Sequence, residues 1–159
     1  MNANEFRILA LEHFKFLVRD FNCESKLPTV PEDVPTRLAG YEVFFNNAST
    51  GVSVALEVIE MLPTVHLHRL SNSVNGRDVY PLGLLLLLRA PELNPLKDET
   101  GLPLRKDVET LLKEYAQGLK IAGADVLRGD FTIFPALEAE WTRQLELRTS
   151  LGSSKFIYF

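Results

Sequence analysis

Between Tyr41 and Val58 the chain alternates apolar and polar residues with a period of two, and this pattern limits the possible folds more than any other feature. Tyr41, Val43 and Phe45 alternate with Glu42 and Asn46, and Val52, Val54, Leu56 and Val58 alternate with Ser53 and Glu57. Alternation of this kind fits strands that bury one face and wet the other. Asn46 to Gly51 supplies the turn between them, and a third strand is expected over Thr64 to Leu70, after Leu62-Pro63. Asn75-Gly76 marks a second turn before a short extended piece at Val79-Tyr80. The expectation is an antiparallel β-meander of three to four strands.

On either side the period changes to that of a helix. Phe6, Leu9, Phe14, Leu17 and Phe21 recur at helical spacing with charged residues between them, which predicts one amphipathic helix from Glu5 to Phe21. Lys26 to Gly40 contains Pro28, Pro31 and Pro35 and reads as a loop. The leucine run after Pro81 predicts a buried helix, followed by a proline-interrupted loop from Pro91 to Pro103. Val108, Leu111, Leu112, Tyr115, Leu119, Ala122 and Val126 form one apolar stripe from about Arg105 to Leu127, with Gly129 as a stop. Pro135 opens a last helix through Leu137, Trp141 and Leu145. The fold class is therefore α+β: an N-terminal helix, the meander, then C-terminal helices packed on one sheet face. Residues 1–159 read as a single domain in which the apolar tail 155–159, Lys155-Phe156-Ile157-Tyr158-Phe159, docks or assembles oligomers.

The balance of residues excludes several classes of function. With 46% hydrophobic and 24% charged residues, the 159-residue chain can bury a sizeable core and is not expected to be disordered. A net charge of −4 removes the broad positive field that nucleic acid or an anionic membrane requires. Leu82 to Leu88 is far shorter than the roughly 20 apolar residues that span a bilayer. Cys23 is the single cysteine, so no intramolecular disulfide forms. Together with a start that lacks a signal-peptide pattern, this points to a reducing, cytoplasmic setting.

The sharpest chemical motif is His66-x-His68, because residues two apart on a strand share a face and imidazole ligates metals. Two ligands do not make a complete site. His13 would have to supply a third imidazole, or Glu42 or Glu57 a carboxylate, and without them the expectation is no metal and no cofactor. No cysteine-hydrolase signature surrounds Cys23, which reads as a small buried hydrophobe. Gly118, Gly123 and Gly129 lack the Gly-Lys-Ser/Thr of a phosphate loop and read as packing or capping residues. The acid pairs Asp98-Glu99 and Glu138-x-Glu140 fall in polar segments and read as solvated surface.

Leu112-x-x-Tyr115-Ala116-x-x-Leu119, leading to Leu127-Arg128-Gly129-Asp130-Phe131, resembles a group of small uncharacterised bacterial proteins, some of them like the immunity proteins of polymorphic toxin systems. The resemblance is concentrated in residues 105 to 134 and carries over no catalytic residue. It implies a cytoplasmic protein that binds and blocks a toxin. A non-enzymatic protein-binding domain is thus the leading expectation, and a small metal-binding protein or enzyme centred on His66 and His68 is its rival. If helices cover the side bearing Val52, Val54, Leu56 and Val58, the opposite side presents Glu42, Phe44, Glu57, His66 and His68 as an aromatic anchor with a polar surround.

Overall fold

The computed structural model describes residues 1–27, 41–57, 61–71, 77–95 and 106–151. Five strands, β1 (Glu24–Lys26), β2 (Glu42–Asn46), β3 (Thr50–Glu57), β4 (Leu62–Arg69) and β5 (Val79–Pro81), form one antiparallel sheet in chain order. The helices are α1 (Ala3–His13), α2 (Lys15–Phe21), α3 (Leu82–Arg89), α4 (Val108–Ala122), α5 (Ala124–Leu127) and α6 (Phe134–Leu151), with a 3-10 turn at Pro91–Leu93. The α+β class and the N-terminal helix are as the sequence predicts. The strand count is five because β1 lies where the Lys26 to Gly40 loop was expected to begin. Its three residues, Glu-Ser-Lys, are exposed and show no buried alternation, so only pairing with β2 makes them a strand.

The register explains why one side of the sheet is dry. Val43 pairs with Val54, and Phe45, Val52, Leu67 and Tyr80 lie in one row across four strands. All of these side chains are at most 1% exposed and join Phe6, Phe14, Leu17, Leu84, Leu85, Leu112, Tyr115, Leu119 and Leu137 in a single core. Each large apolar side chain buried in this way stabilises the fold by about 1.5–3 kcal/mol relative to exposure.

Two helices expected to run unbroken are divided. Phe14 leaves helical geometry (φ −97°, ψ 9°), so Phe14 and Phe16 both reach the core, with ring centroids 6.2 Å apart, which one continuous helix would have turned to different sides. Leu9 and Phe21 consequently pack only at its margin. The start of α1 is set by a capping box: Asn2 Oδ1 accepts from the Glu5 N–H, and Glu5 Oε2 accepts from the Asn2 N–H. Gly123 separates α4 from α5, and a Cβ there would stand 2.5 Å from Leu119 Cδ1. Gly129, at φ +90°, makes the turn expected of it. On α6, Leu137 is buried and Trp141 is partly so, whereas Leu145 is 42% exposed and Gln144 takes the inward position expected of Leu145. Val58, the Asn75-Gly76 turn, residues 96–103 of the expected loop and the tail 155–159 lie outside the described residues.

The tip of the β2–β3 hairpin joins the two layers. Asn47 Nδ2 donates to the carbonyls of Phe21 (3.2 Å) and Leu127 (3.1 Å), the last residues of α2 and α5. Its Oδ1 accepts from the backbone N–H groups of Ser49 and Thr50 and from Ser49 Oγ. Thr50, fully buried, donates its hydroxyl to the Val126 carbonyl at 2.7 Å. Close by, the Arg69 guanidinium lies against the rings of Phe131 and Phe134, 5.2 and 4.7 Å from their centroids, tying β4 to the start of α6.

Leu112→Ala is expected to destabilise the protein by about 2–5 kcal/mol in chemical unfolding, since the side chain is completely buried. Asn47→Ala is expected to cost about 2–4 kcal/mol because it strands two helix-end carbonyls and two backbone N–H groups. A loss below about 0.5 kcal/mol for either variant contradicts the role given to that side chain.

Candidate functional site

The parity that sends Val43, Val52, Val54, Val65 and Leu67 into the core sends their neighbours out of the opposite face. Pairing then groups those neighbours into rows. Lys26, Phe44, Ser53, His66 and Pro81 make one row, and Glu24, Asn46, Gly51, His68 and Val79 make the next. Glu42, Ala55 and Thr64 make a third, and Glu57 with Leu62 closes the far end. The structure therefore places all five expected residues, Glu42, Phe44, Glu57, His66 and His68, on the same outward face. Of these five, the aromatic and imidazole groups gather toward one end and the carboxylates toward the other, while Glu24 of β1 lies in the row of His68.

At the aromatic end the packing is specific. The Phe44 ring meets His68 edge-on, with centroids 5.2 Å apart and an interplanar angle of 88°. Gly51 makes this possible: a Cβ at that position would be 2.5 Å from the Phe44 ring and 3.2 Å from His68 Cβ. Ser53 Oγ lies 2.9 Å from His68 Nε2, closing a contact that runs diagonally across the β3–β4 ladder. Ser53 is only 6% exposed although it faces outward. The sequence marked Ser53 as a polar position of the alternation and gave Gly51 only as the end of a turn. Their shared parity with Glu57 on the same strand, opposite to Val52, Val54 and Leu56, is the signal that would have placed them on this face.

This packing sets the protonation of the two imidazoles. Burial disfavours the charged ring and lowers the pKa of His66, and burial followed by the charge of His66 lowers that of His68. Both rings are therefore neutral at pH 7. No carboxylate contributes to either shift among the described residues, so Ser53 and His68 form a hydrogen-bonded pair without the orienting acid of a catalytic triad.

The other candidates lie elsewhere. His13 ends α1 in the helix layer, 3.8 Å from Glu109, and does not join the histidine pair. Glu42 and Glu57 stand in rows beyond the imidazoles, and among the described residues no three His, Cys, Asp or Glu side chains are grouped to hold a metal ion. Cys23 is 4% exposed and its thiol pKa is raised by burial, as suits a core residue. The expectation of a solvated Glu138-x-Glu140 pair needs correction at Glu140, since the Glu138 side chain is 43% exposed. Glu138 accepts the Tyr80 hydroxyl at 2.6 Å, and Glu140, 12% exposed, is held by Arg143 and Gln144. Glu138 thus joins α6 to β5, whereas the partners of Glu140 lie on α6 itself. Asp98-Glu99 lies outside the described residues. A polar cavity of about 250 Å³ lined by Glu92, Asn94, Lys106, Glu114 and Gln117 is crossed by the Lys106–Glu114 ion pair at 2.7 Å. No helix among the described residues is long and apolar enough to cross a membrane.

The histidine environment predicts how stability depends on pH. Because folding depresses both imidazole pKa values, the unfolded chain takes up protons first as the pH falls through its ordinary histidine value of about 6.5. Stability is expected to decline from about pH 7.5 downward until the folded-state pKa values are passed, with a slope of at most about 1.4 kcal/mol per pH unit for each histidine. Denaturant unfolding at a series of pH values checks this. His66→Gln combined with His68→Gln should flatten the profile in that window, and an unchanged slope contradicts the assignment.

Comparison of the chain with protein-family profiles, curated proteins and solved structures yields no match in any of the three.

Proposed function

We propose that this domain is a non-enzymatic protein-binding module that docks a partner on the outward face of its sheet. The observation that carries the reading is the half-buried Phe44–His68–Ser53 cluster, built around Gly51 and flanked by His66. A rigid aromatic amid polar groups, with its side-chain order already fixed before contact, is the composition from which interface anchors are made. Glu42 and Glu57, in a chain of net charge −4, favour approach by a basic partner. The concrete form we favour is an immunity protein acting in the bacterial cytoplasm against a toxin. The Leu112 to Leu119 and Leu127 to Phe131 segments support it through their resemblance to that group, and the toxin's basic surface would be its counterpart.

The reading is tested with a partner isolated by co-purification and then titrated calorimetrically as a pure component. Phe44→Ala and Thr64→Arg alter the outward face without touching the core and are each expected to weaken binding at least about tenfold. Ile8→Ser, at an exposed position on α1, should leave affinity unchanged. Native affinity in both sheet-face variants removes this surface from consideration.

A further inference from the structure

His66 and His68 are separated by one residue on β4, so their imidazoles leave the same side of the strand. His68 is further fixed by what lies across the ladder. Ser53 is the Cα partner of His66, yet its hydroxyl reaches diagonally to His68 Nε2 at 2.9 Å. Gly51, the partner of His68, leaves the space in which the Phe44 ring rests against that imidazole. The His68 ring is thus held by a hydrogen bond at one nitrogen and an aromatic edge contact. With Nε2 engaged by Ser53, Nδ1 is the nitrogen left to bind something else.

We propose that His66 and His68 form a two-imidazole chelate for a divalent transition-metal ion, with Cu(II) preferred over Zn(II) and Ni(II). Imidazole suits these ions, and the order among them for a given nitrogen site favours copper. A ligating histidine almost always donates its other ring N–H to a neighbouring acceptor, which fixes the tautomer, and Ser53 Oγ stands where that acceptor belongs. Since no third His, Cys, Asp or Glu joins them among the described residues, the remaining coordination positions belong to water or to exchangeable donors from another molecule. The chelate needs no partner protein. Its success or failure is therefore separable from that of the docking surface.

The experiment uses the full chain without a histidine tag, titrated with CuCl2, ZnCl2 and NiCl2 in a non-coordinating buffer at pH 7.5. One equivalent of Cu(II) is expected to bind, more tightly than Zn(II) or Ni(II), with electron paramagnetic resonance showing two nitrogen ligands. His66→Ala and His68→Ala should each weaken binding by more than about tenfold, Ser53→Ala by about tenfold, and His13→Ala not at all. Substoichiometric Cu(II) added to the unaltered protein should broaden the ring resonances of His66 and His68 before those of His13, a readout that requires no variant to fold. Copper affinity that survives loss of both histidines, or first broadening at His13, overturns the proposal. An undiminished affinity in Ser53→Ala overturns the assignment of Nδ1 as the ligating atom of His68.

Discussion

One side-chain amide fixes the relation between the sheet and its helices. The Asn47 carboxamide donates to the ends of α2 and α5 and accepts from the turn that carries it, so the hairpin tip and two helix termini, far apart in the chain, are satisfied together. Carbonyls at helix ends have no partner within the helix, and burying them beside a turn would be costly without such a donor. Thr50 extends the joint to Val126, and Gly129 allows the chain to pass the tip, where a Cβ would stand 2.7 Å from Ser49 Oγ. With the helices anchored there, the core side of the sheet is settled.

The outward face inherits its properties from that choice. Antiparallel sheets commonly leave one side to solvent, but here the middle of that side is closely packed. Ser53 is nearly inaccessible, and His68 is fitted against Phe44 in space that only glycine at position 51 leaves open. Two imidazoles that would otherwise titrate near neutrality are kept uncharged by their surroundings. The same packing serves recognition and coordination alike, since both depend on side chains whose positions are settled beforehand.

The sequence made the central strands and their two faces legible because the alternation through Val43, Phe45, Val52, Val54 and Leu56 is strong and has a single physical reading. Glu42, Phe44, Glu57, His66 and His68 could be assigned to one face for the same reason, whereas their division into rows depended on pairing that no local pattern encodes. β1 was illegible, as Glu-Ser-Lys has no strand signature and exists as a strand only through β2. The break at Phe14 was hidden by a helical spacing that tolerates either geometry and was decided by the space available to Phe14 and Phe16 in the core. Asn47 read as an ordinary turn residue because its partners, Phe21 and Leu127, are 26 and 80 positions away.

The two margins of the sheet also bear on how this molecule meets others. β1 offers three exposed residues, two of them charged, and β5 is equally short and ends in Pro81, which has no N–H to give. Neither border is a good template for an added strand, because a flat run of unpaired backbone donors and acceptors is missing from both. The described sheet is therefore guarded against growing sideways into a continuous ribbon, even though its hydrogen-bonding ladder is open at each end. Among the described residues, sideways pairing is disfavoured at both borders, while the broad surface between them stays free to be selective.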